Sequence, residues 1–342
     1  MTTPSSHPHE IWGDVVKAIA ITAVVLGHAL PGSSSLSRFI YLFHLPLFFM
    51  IAGYYFDFDK YADNSELLIK NSAKRLLLPC VVMSFVAYDI EFWMNSRILS
   101  FFYGAGKAVV WHLGMFDFTI APIVMMMWFL YCLFAVRMIL WLFLKSTRFL
   151  HLPVYVNLLL ALALGIGGLA VGKWKALPWN IDIALAGIWF AYIGILLKQY
   201  HFWQWNKKIH LFVVVLCIVI GSIDFRYAQL YFNDRVYVHP LLALLGAAVL
   251  CILAFYVTRG IAGIGKYKYG KWILMVGVYI GCNSLLIMFL HILFPDFSNP
   301  LCQVLTSLVL CLIFVEVLAR VPVINNVFHV ISLQEILKTK PR

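Results

Sequence analysis

Residues 12–56 read WGDVVKAIAITAVVLGHALPGSSSLSRFIYLFHLPLFFMIAGYYF. Two apolar segments of about 15–20 residues, joined by a turn rich in Pro, Gly and Ser, predict a transmembrane hairpin. Four ionisable residues lie inside these segments: Asp14, Lys17, His28 and His44. Each costs about 2.5–3.5 kcal/mol on membrane-insertion scales, so we expect each of them to have a partner or a function.

The spacing of Asp14, Lys17 and His28 predicts how they are arranged on the first helix. Lys17 and His28 return to within about 20° of the same helix face and are separated by about 16 Å along the axis. Asp14 precedes Lys17 by one turn, so we expect the two to form an ion pair. On the second helix, Gly53 is expected to let a neighbouring helix approach closely.

The composition predicts the fold class. Of the 342 residues 63% are hydrophobic and 12% are charged, which excludes a soluble domain and indicates an all-α polytopic membrane protein. About ten spans are predicted, at residues 12–30, 38–56, 77–94, 122–144, 153–171, 181–198, 210–224, 239–258, 272–291 and 299–319. Most Lys and Arg residues fall in the connections that lie inside when both termini are cytoplasmic, so we predict that topology.

The chain is expected to contain one folded domain. We predict a disordered N-terminal tail at 1–11, a transmembrane domain at 12–320 and a cytoplasmic C-terminal tail at 321–342. The outer connection at 95–121 is expected either to form a partly inserted cap or to be disordered. The net charge of +11 is attributed to cytoplasmic loops, and neither a nucleic-acid partner nor a metal site is expected.

Five blocks of sequence carry a resemblance to a known family. They are D-x-x-K…GH at Asp14, Lys17, Gly27 and His28, FHLPLFFMIAGY at 43–54, KRLLLP at 74–79, WFLYCLFAVR at 128–137 and IGCNSLLIMFLH at 280–291. These blocks occur in the order expected for the membrane-bound acyltransferase 3 family. The chain resembles that family and, within it, the fucose or Nod-factor O-acetylase-like branch. Many members have Arg where this chain has Lys17, and a His often found before the Trp-Phe-Leu block is replaced by Met126 and Met127.

The predicted topology and the resemblance together assign candidate roles. His28 is expected to be the general base or a transient acyl carrier, and His44 to orient, to protonate or to be the base itself, with Asp14 balancing Lys17. Cationic residues at the predicted inner side suit the phosphates of acetyl-CoA: Lys17, Lys74, Arg75 and Arg137. The expected acceptor contacts are Asn283, His291 and Trp128. Asp182 and Glu316, near span ends, fit an interfacial position.

These expectations define a function. We predict an O-acetyltransferase of the bacterial inner membrane that transfers acetyl from acetyl-CoA to a sugar hydroxyl of a cell-surface or lipid-linked glycan. The alternative from another class is a proton-coupled secondary transporter of a sugar or acyl compound, with the buried charges and histidines forming a proton relay. The acceptor, a direct or two-step route, and the oligomeric state stay open.

Overall fold

A computed structural model describes residues 11–32, 34–87, 98–113, 116–120, 127–265, 267–294 and 299–338. The chain divides into two compact units. The central unit is Leu30–Cys251, and the terminal unit combines Met1–Ala29 with Ile252–Arg342. The predicted tail at 1–11 lies outside the described residues except for Ile11, which begins the first helix.

The central unit is built mainly of helices with two small antiparallel hairpins. Its elements are α2 (Ser35–Tyr54), α3 (Phe58–Tyr61), α4 (Ser65–Ser72), a π-helical turn (Ala73–Leu77), α5 (Leu78–Ala87), α6 (Ile98–Tyr103), β1 (Val109–Leu113), β2 (Phe116–Ile120), α7 (Met127–Phe149), α8 (Val154–Trp174), α9 (Ile181–Gln199), α10 (Lys207–Tyr227), β3 (Gln229–Tyr231) and β4 (Val236–Val238). Short 3₁₀ turns occupy Pro178–Asn180 and Phe202–Gln204.

The terminal unit begins with α1, and its remaining elements come from the last part of the chain. They are α1 (Ile11–Ala29), the second part of α11 (Pro240–Ile264), α12 (Lys268–Cys282), α13 (Ser284–Leu290), a 3₁₀ turn (His291–Leu293), α14 (Pro300–Leu318), α15 (Pro322–Phe328) and α16 (Leu333–Lys338). The predicted C-terminal tail therefore contains two short helices.

The all-α polytopic membrane class is confirmed. In the described part of the chain, eight helices are long and apolar enough to cross a membrane, and a bent pair brings the number to nine. Of the third predicted span, 77–94, the structure describes α5, and residues 88–94 lie outside the described residues. Three spanning helices, α8, α10 and α14, bury only 17–22% of their apolar windows, as expected for helices that face lipid.

One predicted span is wrong as a single straight helix. The segment 272–291 is broken at Asn283 into α12 and α13, and the two parts are bent by 69°. Hydropathy indicates how apolar a segment is but not the direction of its helix axis, so the apolar pattern could not predict this bend.

Small residues set the close packing of the central helices. A Cβ added at Gly53 would meet the backbone of Ala191, and one added at Gly194 would meet the backbone of Met50, so α2 and α9 approach at backbone distance. This confirms the role predicted for Gly53. The connection predicted at 95–121 contains α6 and the β1–β2 hairpin in its described part.

Candidate active site

Helix α1 carries three of the predicted site residues within the terminal unit. Lys17 Nζ lies 2.6 Å from Asp14 Oδ1, which confirms the predicted ion pair. The Asp14 side chain is 3% exposed, whereas that of Lys17 is 34% exposed. The carboxylate is therefore enclosed, while about a third of the Lys17 side chain stays exposed.

Helix α12 approaches the charged end of α1 through two glycines. A Cβ added at Gly281 would collide with the backbone of Asp14, and one added at Gly277 would lie near Val15. Gly281 therefore lets the two helices pack at backbone distance, whereas Gly277 has room for an ordinary contact. This contact brings Cys282 beside the ion pair, close to the Asp14 carboxylate.

The helix break follows directly at Asn283. Asn283 Nδ2 donates to Tyr279 O at 2.9 Å and to Ile331 O at 3.0 Å, while Asn283 Oδ1 accepts from Ile331 N at 3.0 Å. The side chain thus satisfies backbone groups of the last turn of α12 and of the chain at Ile331. The geometry supports a positioning role for Asn283, and its contact with an acceptor stays a prediction.

Glu316 supports the same region from α14. Its Oε1 accepts from Tyr279 Oη at 2.7 Å and from Leu333 N at 2.5 Å. Glu316 therefore joins α12 to the start of α16. The interfacial position expected for Glu316 stays a prediction.

At the C-terminal end of α1, an imidazole packs against the imidazole that follows α13. The His28 and His291 ring centroids lie 5.2 Å apart with an interplanar angle of 87°. His28 is exposed, whereas His291 is 6% exposed. His291 Nδ1 lies 3.0 Å from Ile287 O, and its buried Nε2 has no hydrogen-bond partner among the described residues. If Nδ1 carries the proton, Nε2 presents a lone pair, the form that a base requires.

His44 belongs to the central unit, on α2. It is 4% exposed, its Nδ1 lies 2.8 Å from Ile40 O, and its ring stands edge-on to Tyr41 at 5.0 Å between centroids. As in His291, a proton on Nδ1 that is donated to the carbonyl one turn earlier leaves Nε2 as a hydrogen-bond acceptor. His44 and His291 thus share one hydrogen-bonding arrangement.

The central unit also contains the other predicted cations. Lys74 and Arg75 are exposed on the π-helical turn, a distortion that is frequent at functional sites. Arg137 Nε donates to Ser72 Oγ at 2.9 Å, and its guanidinium lies 5.4 Å from the centroid of the Phe56 ring. Within the described ranges no carboxylate pairs with these three cations, so they are suited to an anionic ligand.

A buried ion pair that the sequence did not reveal lies at the other end of the central helices. Arg235 Nε donates to Asp182 Oδ2 at 3.1 Å, and their side chains are 4% and 0% exposed. Arg235 Nη2 also donates to Asn180 Oδ1 at 2.8 Å. Asp182 lies in the first turn of α9, and the interfacial position expected for it stays a prediction. The two residues are 53 positions apart in the chain, and spacing within one helix does not reveal such a pair.

Trp128 is packed beneath this network. It is 4% exposed and lies against Gly106, and its carbonyl accepts from Asn180 Nδ2 at 3.1 Å. These contacts give it a structural role, and its predicted contact with an acceptor stays a prediction.

The structure sorts the predicted site residues by unit. The terminal unit holds the residues of α1 and of the broken helix: Asp14, Lys17, His28, Asn283 and His291. The central unit holds the second set: His44, Lys74, Arg75, Trp128 and Arg137. Sequence reasoning missed Cys282 and the pair Gly277 and Gly281, although the four-residue spacing of these glycines is a recognisable signal. In the described ranges no group of three His, Cys, Asp or Glu residues is arranged to hold a metal ion.

Buried charge and paired imidazoles on membrane helices mark a candidate functional site in a polytopic membrane protein. A family model described as an acyltransferase domain matches residues 10–320, so the chain belongs to the acyltransferase 3 family. The protein is a membrane acyltransferase. No curated protein and no solved structure matches the chain.

Proposed function

We propose that the protein is an acetyl-CoA-dependent O-acetyltransferase of the bacterial inner membrane that acetylates a sugar hydroxyl of a cell-surface or lipid-linked glycan. The observation that carries the proposal is the arrangement on α1 in an acyltransferase chain: a cation at one end and an imidazole pair at the other. The separation of about 16 Å between Lys17 and His28 suits a donor whose phosphates and thioester are joined by a thin arm.

The donor's phosphates would bind the cations predicted at the cytoplasmic side. Lys17 is partly exposed beside a buried carboxylate, and a Lys ammonium binds phosphate as a point charge. The central unit by itself offers a separate set of candidate phosphate ligands, which have no carboxylate partner in the described ranges: Lys74, Arg75 and Arg137. Arg137 is held by Ser72, which fixes its guanidinium before a ligand arrives.

The imidazole pair supplies the acid and base. In the direct route, His28 accepts the proton of the acceptor hydroxyl while the hydroxyl oxygen bonds to the thioester carbonyl carbon. The tetrahedral intermediate then collapses, the carbon–sulfur bond breaks, and the leaving thiolate takes the proton from the imidazolium. His291, buried beside His28, would stabilise that imidazolium through its Nε2 lone pair. A base of this kind contributes about 10²–10⁴-fold.

The experiment is transfer of labelled acetyl from acetyl-CoA to a membrane glycan fraction by the purified protein. His28→Ala is expected to lower the rate at least about 100-fold, and His291→Gln to lower it less. The matched control is His151→Asn, because His151 is exposed in the turn between α7 and α8 with a positive φ that Asn tolerates.

Undiminished transfer by His28→Ala would remove His28 from the mechanism. The transporter alternative makes a different prediction: proton-coupled uptake of a sugar into liposomes without any acyl donor. Such uptake together with absent acetyl transfer would overturn the proposal.

A further inference from the structure

A polar cavity opens at the end of the central helices where the β3–β4 hairpin lies. It has a volume of about 410 Å³, and three Lys residues contribute to its lining: Lys107, Lys173 and Lys175. Trp174 at its edge is 85% exposed. An exposed indole beside a polar cavity offers a flat apolar face on which a sugar ring can stack.

Arg235 makes one wall of this cavity rigid. Its guanidinium is bound by Asp182, by Asn180 and, through Nη1, by Asn233 O at 2.9 Å. Asn180 Nδ2 in turn donates to Gly104 O at 2.8 Å. A wall whose donors and acceptors are already satisfied keeps its shape when a ligand binds, which lowers the entropic cost of binding.

The charge of the cavity is unbalanced. Arg235 is neutralised by Asp182, so even with Lys175 left aside the ammonium groups of Lys107 and Lys173 outnumber the one further carboxylate among the described lining residues, that of Asp234. Lys107 Nζ is directed to the backbone oxygen of Asp234 at 3.4 Å rather than to its carboxylate. The cavity therefore carries an excess of positive charge, which attracts an anion and leaves Asp234 to accept hydrogen bonds from hydroxyls.

A second cavity of about 470 Å³ shares Asp234 and is lined on its other side by Arg38 and Tyr231. The guanidinium of Arg38 lies 5.9 Å from the centroid of Phe225, and its buried Nε has no hydrogen-bond partner among the described residues. Burial raises the pKa of Tyr231, so this residue remains a neutral hydroxyl donor. A second cationic donor thus lies next to the first cavity.

We propose that these two neighbouring cavities bind an anionic saccharide, a sugar that carries a carboxylate or phosphate group. The lysines recognise the anion, Trp174 stacks on a ring, and Asp234 accepts hydroxyls. That the saccharide is the acyl acceptor rests on the proposed function. The charge of the cavities requires only that it be anionic.

The test measures binding to the purified full-length protein in nanodiscs by calorimetry. The probes are a disaccharide with one glucuronic acid unit against its neutral counterpart, and glucose 1-phosphate against glucose. We expect the wild type to bind at least one charged probe about tenfold more tightly than its neutral match, and to lose this preference at about 1 M salt. The two pairs distinguish carboxylate from phosphate as the recognised group.

Two double variants carry the same change of charge. Lys173→Glu with Lys175→Glu is expected to weaken binding of the charged probe about tenfold and to leave the neutral probe unchanged. Lys207→Glu with Lys208→Glu, on two exposed lysines at the start of α10, is expected to bind like the wild type. The milder pair Lys173→Gln with Lys175→Gln replaces the first variant if that protein does not fold.

The proposal is overturned if neutral and charged probes bind equally, or if the Lys173 and Lys175 variants bind like the control. Acetyl transfer from labelled acetyl-CoA is followed in the same preparations. Transfer without preference for charged sugars refutes this inference and leaves the proposed function standing. Selective binding without any transfer supports the cavities and refutes the transferase.

Discussion

Replacement of Gly281 by Ala tests the contact that positions the ion pair. The added Cβ would lie 2.6 Å from the carbonyl carbon of Asp14 and 3.0 Å from its Cα, and closer still to its oxygen. Because ordinary contacts to Cβ begin at 3.4 Å, α1 has to move away from α12 by about 1 Å. The obstacle is backbone, so a side-chain rotation cannot relieve it.

The size of the effect follows from that displacement. Overpacking of this kind costs about 1–3 kcal/mol of folding stability. A shift of about 1 Å in a positioning group lowers a rate by about 10²-fold. We therefore expect Gly281→Ala to unfold at a lower temperature and to lose most of its acyl transfer, through movement of Asp14 and Lys17.

The chain provides a matched control on the same face of α12. A Cβ at Gly277 would meet Val15 Cγ2 at 3.7 Å, an ordinary contact, so Gly277→Ala is expected to change the free energy of unfolding by less than about 0.5 kcal/mol. Thermal unfolding in detergent and labelled-acetyl transfer are measured for both variants. If Gly281→Ala matches Gly277→Ala in both assays, the argument from close helix packing is refuted.

Three further perturbations have defined outcomes. Lys17→Arg is expected to retain acyl transfer because the charge persists, whereas Lys17→Met raises KM for the donor; equal KM values would contradict donor binding by Lys17. Arg235→Met leaves Asp182 buried without its cation and is expected to cost about 3–5 kcal/mol, measured by thermal unfolding, and adding Asp182→Asn should recover part of the loss. Glu316→Ala removes two hydrogen bonds to a charged acceptor, and we expect it to expose the segment around Leu333 to limited proteolysis; unchanged protection would show that the contact is dispensable.

Local patterns predicted the features that depend on one helix. Hydropathy gave the membrane class, the i,i+3 spacing gave the pair of Asp14 with Lys17, and the position of Gly53 gave a close helix contact. Each of these depends on residues near one another in the chain or on helix geometry alone.

Features that join distant parts of the chain were not predictable in the same way. The pairing of Arg235 with Asp182 depends on the tertiary arrangement of a hairpin and a helix start, and hydropathy placed Asp182 near a span end without indicating its partner. The choice of His291 as the neighbour of His28 depends on the bend at Asn283, which no apolar period encodes. The bend in the middle of this span is therefore the feature of the candidate site that only the tertiary structure shows.

The amide contacts of Asn283 have a consequence for the order of synthesis. Its backbone partner, Ile331, is translated 48 residues later, so the junction of α12 and α13 leaves the ribosome before the group that satisfies it does. The nascent chain has to keep this buried amide hydrated or paired elsewhere until the ribosome has completed the segment around Ile331. We therefore expect this junction to close late in biogenesis, and we expect a chain cut after residue 320 and fused there to a fluorescent protein to insert without reaching the mature fold.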